Sequence, residues 1–208
     1  MTDPRVEIVA RAYDRIADRF ADWRDRLEGD PRREWAEDFA SRLGPDARVL
    51  ELGCGGASSE TAMLTERFRL TGVDVSGEQI RRARERLPGA EFLQADFLEV
   101  ELPGESFDAV CSFYVFNHVP REHLAGLLRR IAGWLRPGGL ALNAFGASDN
   151  RGWTGEWLGA DTFFASFRPP ENSRLVEAAA FEILREEVVS FAEPEGAVEE
   201  FQWILARR

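Results

Sequence analysis

The sequence contains no lysine: its 26 basic residues are all arginine, 37 residues are acidic, and the formal net charge is −11. Binding to nucleic acid through its phosphates requires a basic surface, and no arginine cluster here stands clear of neighbouring acids. We therefore expect no nucleic-acid partner. The absence of lysine also excludes a P-loop, whose glycine-rich turn ends in a lysine that reaches the nucleotide phosphates.

Cysteine and long apolar runs are also scarce. Only Cys54 and Cys111 occur, which excludes a disulfide framework and a paired-cysteine metal site and fits a reducing compartment. No window approaches the roughly eighteen apolar residues of a membrane span, and the amino terminus has helical periodicity rather than the pattern of a targeting signal. We expect a cytoplasmic protein without membrane or metal partners, present as a monomer or homodimer.

The chain does contain short apolar runs that alternate with helical stretches. Such alternation is typical of βαβ units, in which a parallel sheet is covered by helices on both faces. It predicts an α/β fold with a doubly wound, mostly parallel sheet. The predicted strands cover residues 48–52, 70–75, 91–95, 107–114 and 140–145, and the helices between them cover residues 58–68, 76–87 and 120–135.

Both ends of the chain depart from this alternation. Apolar residues at helical spacing predict one helix over residues 4–27 and another after Pro31. Near the carboxyl end, the runs 181–191 and 198–206 flank the turn Glu193-Pro194-Glu195-Gly196, which is too short for a parallel crossover. These two runs are therefore predicted to form an antiparallel hairpin.

We expect one domain over residues 1–208, with four parts. These are a helical cap (1–45), a cofactor-binding core (46–146), an aromatic lid-like insertion (147–170), and a helix with a β-hairpin (171–208). The insertion is punctuated by glycine and rich in aromatic residues, including Trp153 and Trp157. A segment of this kind after the fifth strand is typical of a lid that contacts substrate, and it suggests a small, partly apolar ligand.

The stretch VLELGCGGASSE, residues 49–60, places a glycine-rich turn between the first strand and the next helix. Gly53 and Gly55 allow a sharp turn and a close approach to a ligand. The dinucleotide fingerprint GxGxxG would need glycine where Ser58 stands, which disfavours a nicotinamide-dependent oxidoreductase without excluding it. Glu51, at the strand tip, is predicted to point into the crevice, where it would repel a pyrophosphate and attract a cationic ligand.

Two further acids end the next strands. Asp74 closes the second strand at the spacing where an acid accepts the hydroxyl groups of a ribose. Asp96 closes the third strand beside the same crevice. Acids on three successive strand ends, with no basic residue among them, predict a site for a nucleoside ligand that lacks phosphates.

With these motifs in place, the chain resembles the class I S-adenosylmethionine-dependent methyltransferases. The resemblance runs nearly end to end, through YDRIADRF, VLELGCGGA, LTGVDVS, AEFLQADF, FDAVCSFYVFNHVP and LRPGGLAL. It implies a seven-stranded sheet whose last strand is antiparallel, and S-adenosylmethionine as cofactor. The cofactor residues that it implies are Glu51, Gly53, Cys54 and Gly55 along the methionine portion, Asp74 with Val75 at the ribose, Asp96 and Phe97 at the adenine, and Ser112 and Phe113 below the methionine.

The resemblance also implies methyl transfer to a small molecule, with O-methylation favoured over N-, S- or C-methylation. Its candidate catalytic residues are His118, which could instead only hydrogen-bond the loop backbone, and Tyr13, which could instead be a core aromatic. Tyr114, Trp153 and Trp157 are the candidate substrate-binding residues. A noncatalytic S-adenosylmethionine-binding protein is the alternative. Ala57 replaces the usual third glycine of the loop, which is tolerable if its φ is negative.

Overall fold

The structure, a computed structural model, describes residues 3–194 and 196–208. The helices are α1 (Pro4–Arg24), α2 (Arg32–Ser41), α3 (Ser59–Arg67), α4 (Gly77–Arg86), α5 (Arg121–Trp134) and α6 (Pro169–Ala178), with a 3₁₀ turn at Phe116–His118. The strands are β1 (Arg48–Leu52), β2 (Arg69–Asp74), β3 (Glu91–Gln94), β4 (Phe107–Ser112), β5 (Leu135–Gly146), β6 (Asn150–Trp157), β7 (Ala160–Ser166), β8 (Glu182–Ala192) and β9 (Val198–Arg207).

Seven strands form one sheet in the order β3-β2-β1-β4-β5-β9-β8. The pairs from β3 to β5 are parallel, whereas β9 runs antiparallel to both β5 and β8. The predicted doubly wound sheet with an antiparallel last strand is therefore confirmed, as is the carboxyl-terminal hairpin. Glu195, one residue of the predicted turn, lies outside the described residues.

The aromatic insertion forms a separate two-stranded antiparallel sheet, β6–β7, which the sequence did not predict as strands. Phe163 of β7 packs against Val9 and Tyr13 of α1 in a small cluster outside the main core. Helix α1 and this hairpin thus support each other beside the large sheet. None of the helices in the described ranges is long and apolar enough to cross a membrane.

Helix caps position the elements around the sheet edge. Ser58 forms a capping box with Thr61 at the start of α3, and Ser76 caps α4 through the Gln79 amide. Asp14 of α1 accepts hydrogen bonds from Ser76 Oγ at 2.6 Å and from the Glu78 amide at 3.0 Å. A carboxylate at a helix amino terminus is favourable, so Asp14 anchors α1 over the carboxyl ends of the strands.

Candidate active site

A continuous cavity of about 580 Å³ lies at the carboxyl ends of β1, β2 and β4. Its walls also include α1, the β6–β7 hairpin and the tip of the β8–β9 hairpin. Parallel sheets bind ligands at this end, and the volume is within the range of small-molecule sites. The predicted site residues that line it are Tyr13, Gly53, Gly55, Asp74, Val75, Asp96, Phe97, Phe113, Tyr114, His118, Trp153 and Trp157.

The glycine turn after β1 is tightly packed against the cavity wall. Gly53 has φ +67°, and a Cβ at this position would lie 2.4 Å from Val115 Cγ2. Gly55 has φ +53°, and its amide donates to Asp74 Oδ2 at 2.9 Å. Both glycines are thus required by the left-handed backbone, and Gly53 also by the close approach of Val115.

Ala57 corrects an expectation from the sequence, because its φ is +60° rather than negative. The left-handed conformation costs a residue with a Cβ roughly 1–2 kcal/mol. The Ala57 methyl group is fully buried in the main core, and its amide donates to the Cys54 carbonyl at 3.2 Å. The turn therefore keeps the backbone shape typical of glycine at this position and offsets part of the strain by burying a methyl group.

The two acids after β2 and β3 face the cavity. Asp74 Oδ1 accepts from the Ser76 amide and Oδ2 from the Gly55 amide, each at 2.9 Å, and burial raises the pKa of Asp74 to about 6. Asp96 accepts from the Leu98 amide at 2.8 Å, and partial burial also raises its pKa. Each carboxylate oxygen has a second lone pair, so both acids can still accept hydrogen bonds from ligand hydroxyl or amino groups.

Glu51 does not point into the crevice, so that prediction is wrong. Its side chain is buried behind the cavity wall, where Oε1 accepts from Thr61 Oγ1 at 3.0 Å and Oε2 has no hydrogen-bond partner. Helices cover both faces of the sheet, and the side chain turns towards α3. Burial raises the pKa of Glu51 to about 8, so the carboxyl group is mostly neutral at pH 7.

Glu51→Gln is expected to flatten the dependence of stability on pH. The folded pKa of Glu51 lies above its unfolded value of 4.5, so the folded state binds the extra proton and stability falls as pH rises between 4.5 and about 8. The contribution is at most about 1.4 kcal/mol per pH unit. Chemical denaturation between pH about 6 and about 8 gives the slope for each protein, and the difference between the two slopes isolates Glu51 because both proteins share the other titrating groups. Equal slopes in the two proteins would contradict the assignment.

Three predicted or suspected residues lie beneath the cavity surface. Cys54 and Cys111 are buried free thiols whose pKa values burial raises, which suits packing rather than nucleophilic chemistry. Ser112 is fully buried and donates to Asn143 Oδ1 at 3.1 Å. Cys54 and Ser112 therefore support the wall from behind, and their contact with a cofactor stays a prediction.

Tyr13 and His118 are joined by a hydrogen bond of 2.9 Å between the phenol oxygen and Nε2. His118 Nδ1 lies 2.7 Å from the Phe163 carbonyl oxygen, which can only accept, so Nδ1 carries the proton and Nε2 accepts from Tyr13. Burial lowers the pKa of His118 to about 4 and raises that of Tyr13. The pair is therefore neutral at pH 7, and His118 lines the cavity while its side chain bonds the backbone of β7 rather than that of its own loop.

Tyr114 lies on the cavity floor in a strained conformation, with φ +58°. Its hydroxyl donates to Asp30 Oδ1 at 2.6 Å, and the Arg32 guanidinium lies 5.1 Å from its ring centroid. Asp30 is also paired with Arg32. The polar groups of Tyr114 are thus used within the protein, which leaves mainly its ring for a ligand.

Six aromatic side chains from α1 and the β6–β7 hairpin line one part of the cavity, which we term the aromatic chamber. They are Tyr13, Phe20, Trp23, Trp153, Trp157 and Phe164. The sequence singled out Tyr13, Trp153 and Trp157 but missed the other three as site residues. Phe20 and Trp23 could have been found, because they fall seven and ten residues after Tyr13 and so share its face of α1.

Other lining residues gave no signal in the sequence. Arg24 and Arg32 come from the ends of two helices, and Glu193, Glu199 and Glu200 come from the tip of the β8–β9 hairpin. The side chain of Arg24 is largely buried and is paired with Asp25, whose side chain is 70% exposed. Only the approach of distant segments brings these charges to the cavity.

The residues present fit S-adenosylmethionine. Among the described residues, the wall that follows β1, β2 and β3 offers glycine turns, the acids Asp74 and Asp96, and the apolar side chains of Val75, Phe97 and Leu98, with no basic group. This combination suits the hydroxyl groups and flat base of a nucleoside and disfavours a phosphate. Glu51, although its Oε2 has no partner, lies behind the turn and does not line this wall.

Comparisons with known proteins agree with this chemistry. Residues 49–139 match the family model described as a methyltransferase domain. The chain is 39% identical over 116 residues to trans-aconitate 2-methyltransferase of Rhodopseudomonas palustris (strain BisB18), covering 53% of this chain and 44% of that protein. The matched part of the chain therefore spans less than half the length of that relative.

Two further matches cover more of the chain. The 27-O-demethylrifamycin SV methyltransferase of Amycolatopsis mediterranei (strain S699) is 31% identical over 172 residues, covering 70% of this chain and 61% of that protein. The Burkholderia thailandensis 1,6-didemethyltoxoflavin-N1-methyltransferase, solved with bound 1,6-didemethyltoxoflavin and S-adenosylhomocysteine, superposes with a TM-score of 0.68. That match covers 95% of this chain and 88% of the other at 22% identity, so it is evidence for the fold alone.

Proposed function

From the premise that residues 49–139 are a methyltransferase domain of the class I S-adenosylmethionine-dependent family, we propose that this protein methylates a small molecule. The main support for this proposal is that a single cavity has one part lined by acids and another part lined by aromatic side chains. Asp74 and Asp96 lie at the part suited to a nucleoside, and His118 with the aromatic chamber forms the remainder. A cofactor and an acceptor could therefore occupy one shared cavity.

S-adenosylmethionine, when bound, supplies a methyl group on a sulfonium whose thioether is already a good leaving group. The protein's residues then have to hold the acceptor in line and exclude water. Asp74 would hold the ribose hydroxyls, Asp96 and Phe97 the adenine, and the turn at Gly53 and Gly55 the methionine portion. The aromatic chamber would exclude water around the acceptor.

We propose oxygen as the accepting atom because the Tyr13–His118 pair can share a proton. The Tyr13 hydroxyl donates to His118 Nε2 and keeps a lone pair that can accept from an acceptor hydroxyl. His118 is a weak base, with its pKa lowered to about 4, so it would orient Tyr13 and take up charge only as the acceptor oxygen becomes acidic. The name of the rifamycin relative also specifies an oxygen site.

Tyr13→Phe is expected to lower kcat by about 10- to 100-fold while leaving cofactor affinity unchanged, since the proton relay is lost but the ring remains. Transfer of a labelled methyl group from S-adenosylmethionine to a panel of hydroxyl, carboxyl and amine acceptors gives the rate, and calorimetry gives the affinity. The rate should not titrate with a pKa near 6.5, because the pKa of His118 is about 4.

Each outcome of this experiment has a distinct meaning. Turnover of amines only, insensitive to Tyr13→Phe, would overturn the assignment of oxygen. Cofactor binding without turnover of any acceptor would identify a noncatalytic binding protein. Thermal stabilisation by a nicotinamide dinucleotide, but not by S-adenosylmethionine, would overturn the proposed function.

A further inference from the structure

The aromatic chamber contains two ring pairs that are close to parallel. Phe20 and Trp23 of α1 lie with centroids 6.0 Å apart at 21°, and Trp153 and Phe164 of the hairpin lie 5.9 Å apart at 26°. Trp157 joins the pairs edge-on, at 5.2 Å from Trp23 and 5.7 Å from Phe164. The chamber therefore offers both ring faces and ring edges, the two arrangements that aromatic contacts prefer.

Two glycines of the hairpin leave room for side chains that border the chamber. A Cβ on Gly155 would lie 2.3 Å from Trp153 Cζ2, so the indole occupies space that a side chain at this position would take. Gly159, with φ +83°, leaves room in the same way for the Arg19 guanidinium of α1. Trp153 nevertheless stays 47% exposed, and it lines the cavity. A ring that packs against the backbone on one side and is uncovered on the other can stack on a ligand with little loss of entropy.

The charge at this part of the cavity argues against a cationic guest. Arg24 directly follows Trp23, its side chain is 13% exposed, and the carboxylate of its partner Asp25 is mostly in water. A cation beside the rings would be repelled by this guanidinium, whereas a neutral or anionic guest would not. The acids Glu193, Glu199 and Glu200 belong to the β8–β9 hairpin and not to the elements that carry the chamber.

We infer that the chamber binds a planar aromatic molecule, neutral or anionic, as the methyl acceptor. That the bound molecule is the methyl acceptor rests on the proposed function, whereas its binding by stacking does not require that a methyl group is transferred. The rings expected to contribute most to binding are those of the two near-parallel pairs, Phe20 with Trp23 and Trp153 with Phe164. A saturated ring of equal size would fill the space but would gain no stacking.

Binding can be measured without turnover, by calorimetry in the presence of S-adenosylhomocysteine. The probes are 2-naphthol, its saturated counterpart decahydro-2-naphthol, and the cation N,N,N-trimethyl-2-naphthylammonium. We expect 2-naphthol to bind about 10-fold more tightly than decahydro-2-naphthol. Trp153→Leu should weaken the binding of 2-naphthol by about 3- to 10-fold and leave the binding of decahydro-2-naphthol unchanged. Trp153→Phe keeps an aromatic ring, so it should weaken the binding of 2-naphthol by a smaller factor.

Controls separate this inference from the fold and from the proposed function. Val188→Leu changes a 45% exposed side chain outside the cavity and should alter neither affinity. Equal affinities for the planar and saturated probes, or a preference for the cationic probe, would overturn the inference even if another acceptor is methylated. Trp153-dependent binding of 2-naphthol would support it even if no acceptor is turned over.

Discussion

Replacing Asp74 with alanine is expected to weaken S-adenosylmethionine binding by about 30- to 700-fold, or ~2–4 kcal/mol, the value of a pair of charge-assisted hydrogen bonds. Asp74 lies in the cavity at the end of β2, and both of its oxygens can still accept from ribose hydroxyls. Calorimetric titration of the wild-type and variant proteins measures the loss. An unchanged affinity would refute the assignment of Asp74 to the ribose.

Two comparisons isolate the role of the carboxylate charge. Asp74→Asn keeps one acceptor oxygen and should cause roughly half of the loss in free energy. Asp108→Asn is the matched control, because Asp108 also accepts from a backbone amide, that of Arg48 at 2.8 Å, yet lies outside the cavity. In the wild-type protein, affinity should fall as the pH drops below about 6, where Asp74 takes up a proton and loses its charge.

Gly53→Ala is expected to destabilise the protein by about 2–5 kcal/mol and to reduce cofactor binding. Part of the cost, roughly 1–2 kcal/mol, comes from a left-handed φ of +67°, and another ~1–3 kcal/mol comes from overpacking. The added Cβ would lie 2.7 Å from Val115 Cβ and 2.4 Å from its Cγ2, so either the turn or the cavity wall must move. Denaturant unfolding and calorimetry measure the two effects.

The cost of the left-handed backbone and the cost of the contact with Val115 can be separated by comparing two glycines of this chain. Gly29 has φ +79°, but no atom lies within 4 Å of the position that a Cβ would take there, so Gly29→Ala reports the cost of strain alone. The double variant Gly53→Ala, Val115→Gly should recover part of the difference between the two alanine variants. Equal losses for Gly29→Ala and Gly53→Ala would show that contact with Val115 does not matter.

Local patterns were enough to predict the sheet and one wall of the site. The period of the apolar residues and the short turn after residue 192 predicted the parallel strands and the antiparallel hairpin, because each depends on neighbours in sequence. Asp74 and Asp96 follow from the same logic: the carboxyl ends of parallel strands meet at one edge, so acids that end successive strands face one cavity.

The direction of a side chain at a strand end could not be predicted in this way. Glu51 ends up behind the wall because Thr61 of α3 supplies its hydrogen bond, and Ala57 adopts a positive φ because the turn requires it. The first result depends on how α3 packs on the sheet, and the second depends on the path of the turn. The Tyr13–His118 pair joins side chains 105 residues apart, so its hydrogen bond and the tautomer of His118 depend on where α1 lies.

The sequence by itself thus determined the fold class, the glycine turn, and the acids Asp74 and Asp96 at the cavity, which arise from short-range periodicity and strand ends. Only the tertiary structure decided the aromatic chamber. Phe20 and Trp23 become neighbours of Trp157 because α1 packs against the β6–β7 hairpin, and Arg24 reaches the cavity by the same packing. These contacts form because a whole face of α1 is buried against a distant hairpin, and the spacing of residues along one segment does not specify which other segment will cover it.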